Sequence, residues 1–94
     1  MPSISAVLPA YNEEAIIADT ARAVDAVLRE LTDDYEVIVV NDGSRDATAT
    51  RVAAVAAERP SVRLISHPTN RGYGSALATG FSNATKELIF LTDG

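Results

Sequence analysis

The 94-residue sequence has no cysteine, no tryptophan, a single histidine and few aromatic residues, 5% in all. Without cysteine there is no disulfide, no thiolate nucleophile and no sulfur-ligated metal, and the absence carries no information about compartment. The lone His67 sits beside Pro68 without a matched partner, so neither a Ser-His-Asp triad nor a histidine-rich zinc cluster is present. Basic residues are also scarce: 8 Lys and Arg stand against 13 Asp and Glu, for a formal net charge of -5. That balance gives no basic footprint, and no nucleic-acid partner is expected. A single phosphate ligand remains open, because backbone N–H groups hold one without basic side chains. No stretch approaches the ~20 apolar residues of a membrane-spanning helix. The start, "MPSISAVLPAYNEE", lacks the charged and apolar regions of a signal peptide. The segment reads as soluble and cytoplasmic, with any membrane association of a full-length protein lying beyond Gly94.

What is present is a chain 47% hydrophobic, enough for one modest core. Its length lies below the usual α/β domain of about 100 to 150 residues. Its apolar period switches repeatedly. "SISAVLP", Ser3 to Pro9, is a short strand that the proline should end. From Ile16 to Leu31 apolar residues recur at spacings of three and four, one face of a helix, with Asn12 as its expected N-cap and Glu13 and Glu14 in its first turn. "YEVIVV", Tyr35 to Val40, is the β-branched run of a strand covered on both faces. An alanine-rich helix follows and stops at Pro60, then a strand over Val62 to His67, a helix from about Gly72 to Ala84, and a last strand in "ELIFLT". The order β-α-β-α-β-α-β predicts an α/β fold, three-layer α/β/α with a mostly parallel sheet.

In such sheets ligands bind beyond the carboxyl ends of the strands. Four loops qualify: Pro9 to Glu13, Asn41 to Asp46, His67 to Gly74 and Thr92 to Gly94. They hold most of the unusual polar and glycine residues, which favours one site built from all four. In "VVNDGSRDAT", Asp42 is expected as an exposed carboxylate that accepts from a base N–H or ribose hydroxyls, and Asp46 as a structural capping residue. The same stretch also reads as no more than a well-made strand-to-helix turn. "NRGYGSALATG" fails the dinucleotide fingerprint, since Leu77 stands where a third glycine belongs, and no phosphate-binding lysine loop occurs. Arg71 is placed to reach a phosphate or sugar, Gly80 lets a helix pack closely, and His67 is expected to be a packing group. Tyr11, and less strongly Tyr73, could stack on a base or simply pack against loops. Asp93, closing the apolar run "LIFLTDG", is either a loop-capping residue or half of a metal site.

Taken together and in register, "LPAYNEE", "VVNDGSRDAT", "NRGYGSALATG" and "LIFLTDG" resemble the N-terminal part of the inverting family-two glycosyltransferases, with a flavour of the polyprenyl-phosphate or dolichyl-phosphate sugar synthases. The likeness covers essentially the whole chain and implies the GT-A fold, a Rossmann-like nucleotide-diphospho-sugar transferase architecture, cut after its fourth strand. Residues 1–94 would then be the nucleotide-sugar-binding half of a glycosyltransferase domain, without its acceptor-binding half. The resemblance assigns Pro9, Ala10, Tyr11, Asn12 and Glu13 to the first nucleotide-binding loop, Asp42 to the base, and Arg71 and Gly72 to the nucleotide and ribose. Asn41 stands where many relatives carry a second aspartate. Asp93 matches the first acidic position of the D-x-D motif, whose carboxylates hold a divalent cation, Mg²⁺ or Mn²⁺, in the full-length enzyme. The second acidic residue, and the catalytic base or acceptor-binding residues, would lie beyond Gly94.

The implied reaction transfers a sugar from a UDP- or GDP-linked donor, with inversion, to an acceptor such as a polyprenyl phosphate. The fragment itself would bind nucleotide only, and its uncovered apolar surfaces would favour a homo-oligomer. Two other functions fit less well. A sugar-nucleotidyltransferase needs a glycine-rich basic loop where this chain has "PAYNEE". A non-catalytic α/β interaction module leaves four converging polar loops without a purpose.

Overall fold

The computed structural model describes residues 2–92. Along the chain run β1 (Ile4–Ala10), α1 (Ile17–Leu31), β2 (Tyr35–Asp42), α2 (Thr48–Glu58), β3 (Val62–His67), α3 (Tyr73–Asn83) and β4 (Leu88–Leu91). The four strands form one sheet in the order β3-β2-β1-β4, and every pairing is parallel. The α/β fold and the parallel sheet are as the alternating periods predict.

Alternation along each strand decides which residues meet which helix. Ala6, Leu8 and Ala10 of β1 and Val37 and Val39 of β2 face α1 and α2, where they pack with Ile17, Ala21, Leu28, Val52 and Val55. The opposite parity, Ile38 and Val40, packs with Ala76 of α3. Gly80 lets α3 lie directly on β1: a Cβ there would sit 2.2 Å from Val7 Cγ1. The sheet thus has two helices on one face and one on the other, and the chain changes faces as it passes from β3 to β4.

Two sequence expectations fail locally. Pro9 does not end β1, which runs on to Ala10 with Pro9 in register with Val40. Among the described residues the β1–β4 ladder reaches Val7↔Leu91. Pro9 shares the parity of Ser3 and Val7, whose carbonyls face β4, so its missing N–H points away from β2 and the β1–β2 pairing loses nothing. Nor does Asn12 cap α1. It adopts a left-handed backbone, φ 50°, and the helix starts five residues later, after a turn in which the Ile16 and Ile17 N–H groups donate to Glu13 O. The side chain of Asn12 is engaged elsewhere, accepting from the Arg45 N–H at 2.9 Å. Asp46 is structural as expected, accepting from the Thr48 N–H at 2.9 Å at the start of α2.

At the amino ends of the strands, far from the loops singled out above, lie two buried carboxylates. Asp25 of α1 accepts from Tyr35 Oη at 2.8 Å, Ser61 Oγ, Arg59 at 2.8 Å and Arg29 at 3.1 Å. On the other face Glu36 accepts from Ser5 Oγ at 2.7 Å, Arg63 at 2.6 Å and the Thr85 N–H at 2.8 Å. Burial alone would push both carboxyls up, but the donors outweigh it, Ser61 and Tyr35 foremost for Asp25 and Ser5 and Thr85 for Glu36. Each is held at about 2. A carboxyl with a depressed folded value stabilises the fold above its unfolded value and loses that contribution as pH falls through the folded one. The free energy of unfolding is therefore expected to drop steeply between about pH 4.5 and 2, by about 2 kcal/mol for each of the two groups, and the urea midpoint to fall with it. Asp25→Asn should lower the midpoint at pH 7 and flatten the profile; a wild-type midpoint unchanged down to pH 2.5 contradicts this.

The edge strand β4 is different in kind. Leu88, Ile89, Phe90 and Leu91 are all exposed, beside Val27 and Leu31 of α1. Among the described residues no helix is long and apolar enough to cross a membrane.

Candidate functional site

Three of the four loops at the carboxyl end of the sheet are bound into one unit by side chains that reach across to backbone. The Asn12 N–H donates to Ser44 Oγ at 2.9 Å and the Glu13 N–H to Thr48 Oγ1 at 2.8 Å. Together with the return bond from Arg45 to Asn12 Oδ1, these tie the loop after β1 to the loop after β2. Gly43, at φ +69°, brings the second loop against the third: a Cβ on it would meet Asn70 N and Thr69 C at 2.3 Å. Only a residue without a side chain permits that approach and that φ.

Asp42 is the centre of this arrangement. Its parity along β2 places it on the α3 side of the sheet, and the register sets it beside His67, the last residue of β3. Its Oδ1 accepts from His67 Nδ1 at 2.8 Å and from the Arg71 N–H at 2.9 Å, and its Oδ2 from the Gly72 N–H at 2.8 Å. Gly72 reaches this position with φ +99°, a conformation that suits glycine. Asn70 Nδ2 adds a weaker bond to Asp42 O at 3.3 Å. The His67 ring is held from its far side by Thr79 Oγ1, 2.7 Å from Nε2. Burial pushes the Asp42 carboxyl up, but His67 and the two backbone N–H groups outweigh it and hold the group below the usual carboxylate range.

A cavity of about 360 Å³ opens over these residues. It is lined by Pro9 and Ala10 at the end of β1, by Tyr11 and Glu13 of the loop that follows, by Asp42 at the end of β2, and by Asn70, Gly72, Tyr73 and Ala76 of the third loop and α3. Both tyrosines are exposed, Tyr11 at 44% and Tyr73 at 58%, so each ring has a free face toward solvent or ligand. The cavity has the chemistry of a small-molecule site: apolar walls, two aromatic rings and one convergent carboxylate.

Of the residues singled out from sequence, Pro9, Ala10, Tyr11, Glu13, Asp42 and Gly72 come together here. Asn12 and Arg71 do not line the cavity; Asn12 fastens the loops, and Arg71 contributes its backbone N–H to Asp42 while the residue is exposed. Asp42 is not the exposed carboxylate that the sequence suggests, since only 3% of it is accessible, because the third loop folds over it and donates two N–H groups. Sequence reasoning missed Asn70, and missed that His67 orients Asp42; parity along β3 was the only signal for the second. The metal assignment falls on Asp93, which lies outside the described residues. Among the described residues no group of three or more His, Cys, Asp or Glu side chains is placed to hold a metal ion.

Similarity to known proteins bears on the same loops. Residues 5–94 match the family model described as glycosyl transferase family 2. The chain is 37% identical over 92 residues to an undecaprenyl-phosphate 4-deoxy-4-formamido-L-arabinose transferase of Enterobacter sp. (strain 638), covering 96% of this chain and 28% of that protein. The corresponding transferase of Erwinia tasmaniensis is 38% identical over the same length, with the same coverage. The chain thus spans a little over a quarter of the length of these relatives. Among solved structures, a mannosyltransferase from Pyrobaculum calidifontis in complex with GDP-Man and Mn²⁺ superimposes with a TM-score of 0.79 at 30% identity, over 98% of this chain and 27% of that one. Glucosyl-3-phosphoglycerate synthase from Mycobacterium tuberculosis, in complex with Mn²⁺, UDP and glucosyl-3-phosphoglycerate, does so at 0.76 and 30%, over 98% and 33%. The parallel sheet is that of the GT-A glycosyltransferases. With a family match running through every loop of the site, the chain belongs to glycosyl transferase family 2.

Proposed function

We infer that this chain forms the nucleotide-binding part of a donor site, in a longer enzyme that transfers a sugar from a nucleoside-diphosphate sugar to an acceptor with inversion. The observation that carries this is Asp42, its carboxylate held below the usual range and so ionised at neutral pH, lining one cavity with Tyr11 and Tyr73 at the carboxyl end of a parallel sheet. A base stacked on a tyrosine could donate an N–H to that carboxylate, while the cavity's apolar walls exclude water. The ribose and diphosphate would run toward Gly72 and the exposed Arg71, whose guanidinium suits phosphate oxygens.

The ligands of the solved relatives, GDP-Man in one and UDP in another, support a nucleoside-diphosphate sugar as donor. Their Mn²⁺ supports a divalent cation as cofactor of the longer enzyme, with Asp93 proposed from sequence as one ligand. The Enterobacter relative, an undecaprenyl-phosphate sugar transferase, supports a polyprenyl phosphate as acceptor. Such an acceptor is already an anion and needs little help from a general base. The chain alone is expected to bind nucleotide and to transfer nothing. Self-association is supported only by the exposed β4 edge, and a single compact monomer on gel filtration counts against it.

The test is a chemical-shift titration of the chain with UDP and with GDP. Saturable shifts at the backbone of Ala10, Tyr11, Glu13, Asp42 and Gly72 with a nucleoside diphosphate are the expected result. A folded chain that responds to neither overturns the assignment.

A further inference from the structure

A carboxylate has about four acceptor positions on its two oxygens. In Asp42 three are filled from within the chain: both on Oδ1, by His67 Nδ1 and the Arg71 N–H, and one on Oδ2, by the Gly72 N–H. An ionised carboxylate only accepts, so Nδ1 of His67 carries the hydrogen. The ring is 6% exposed and pinned behind by Thr79 Oγ1, so it is a fixed donor that a ligand does not readily displace. One acceptor position remains, on Oδ2, and Asp42 is among the residues that line the cavity.

We propose that His67 is a specificity-determining residue of the nucleotide site: by filling the second position on Asp42 Oδ1 it leaves room for one N–H and thereby selects uracil over guanine. This rests on the donor-site assignment above. The pairing edge of uracil presents a single N–H, between two carbonyls, and that donor matches the one open position. Guanine presents two donors side by side, the ring N1–H and the exocyclic amine, and satisfying both on one carboxylate takes a position on each oxygen. Oδ1 has none to give. Guanine therefore either leaves an N–H desolvated and unpaired or displaces a buried imidazole. The fold does not make this choice, since relatives of equal identity carry GDP-Man in one case and UDP in the other.

The experiment is calorimetric titration of the 94-residue chain with UDP and GDP, as wild type, His67→Ala and His67→Asn. Wild type is expected to bind UDP about tenfold more tightly than GDP, the difference of one hydrogen bond to a charged group. His67→Ala opens a position on Oδ1 and should bring the ratio to within about threefold, with GDP the nucleotide that gains. His67→Asn restores an N–H donor and with it the preference. A merely structural histidine would weaken both nucleotides alike and leave the ratio unchanged, which overturns the proposal. If His67→Ala does not fold, His67→Phe, which fills the space without an N–H donor, takes its place and is expected to lose the preference in the same way. GDP binding as tightly as UDP to wild type, with the Asp42 amide shifting, overturns the base selection and leaves the donor site standing. Binding of neither nucleotide by the folded chain overturns the donor site and the selection with it.

Discussion

Gly43→Ala is expected to destabilise the chain by at least about 3 kcal/mol and to abolish nucleotide binding. Two costs combine. The backbone at φ +69° is unfavourable for any residue with a Cβ, by about 1 kcal/mol. The new Cβ would also lie 2.3 Å from Thr69 C and Asn70 N and 2.8 Å from Thr69 O. Those are backbone atoms, so no side-chain rotation relieves the overlap; the third loop has to move off Asp42. Moving it separates the Arg71 and Gly72 N–H groups from the carboxylate, and the cavity loses the lining that the third loop supplies. Gly74→Ala is the control, because a Cβ there meets nothing within 4 Å and Gly74 lies within α3. That change should be neutral or stabilising by up to about 1 kcal/mol. Thermal or urea denaturation of the two variants reads the contrast directly, and equal stabilities would contradict the packing described here.

Asp42→Ala is expected to cost about 3 kcal/mol and to weaken UDP binding by about a hundredfold. The carboxylate is 3% exposed and satisfies three donors at 2.8 to 2.9 Å. Removing it leaves the His67 ring and two backbone N–H groups facing an apolar gap, and water can repair this only in part. Asp42→Asn keeps the volume but presents one oxygen where two are needed, and should fall between wild type and the alanine variant in both stability and affinity. A loss of affinity with no loss of stability would mean that Asp42 serves the ligand alone and that the third loop is held by other contacts.

The elements were legible in the sequence because their signals are local. The switch from the β-branched "YEVIVV" to three-and-four spacing over Ile16 to Leu31 reports burial on one strand or one helical face, and β3 and α2 follow by the same logic. The failures concern what a residue does at a distance. Pro9 looks like a strand end, and only the strand order and register show that its missing N–H faces away from β2, so the β1–β2 ladder continues. Asn12 has the composition of an N-cap, but its side chain is drawn across to Arg45, 33 residues away. Polar and glycine residues cluster at the strand ends in the sequence, and six of the eight nucleotide-binding positions expected from it line one cavity. Whether Asp42 is bare or covered could not be read locally, since its partners are 25 to 30 residues away on a different strand and loop. His67 carried no signal on its own. Its role exists only once the Asp42↔His67 register is set.

The measurement that bears most directly on the nucleotide site is the position of the base. Intermolecular NOEs between the base protons of bound UDP and the ring protons of Tyr11 and Tyr73 are expected, together with a shift of the Gly72 amide that donates to Asp42. NOEs instead to Val27, Leu31 and Phe90, the apolar groove between α1 and β4 at the sheet edge, would contradict the account and move the ligand away from Asp42 altogether.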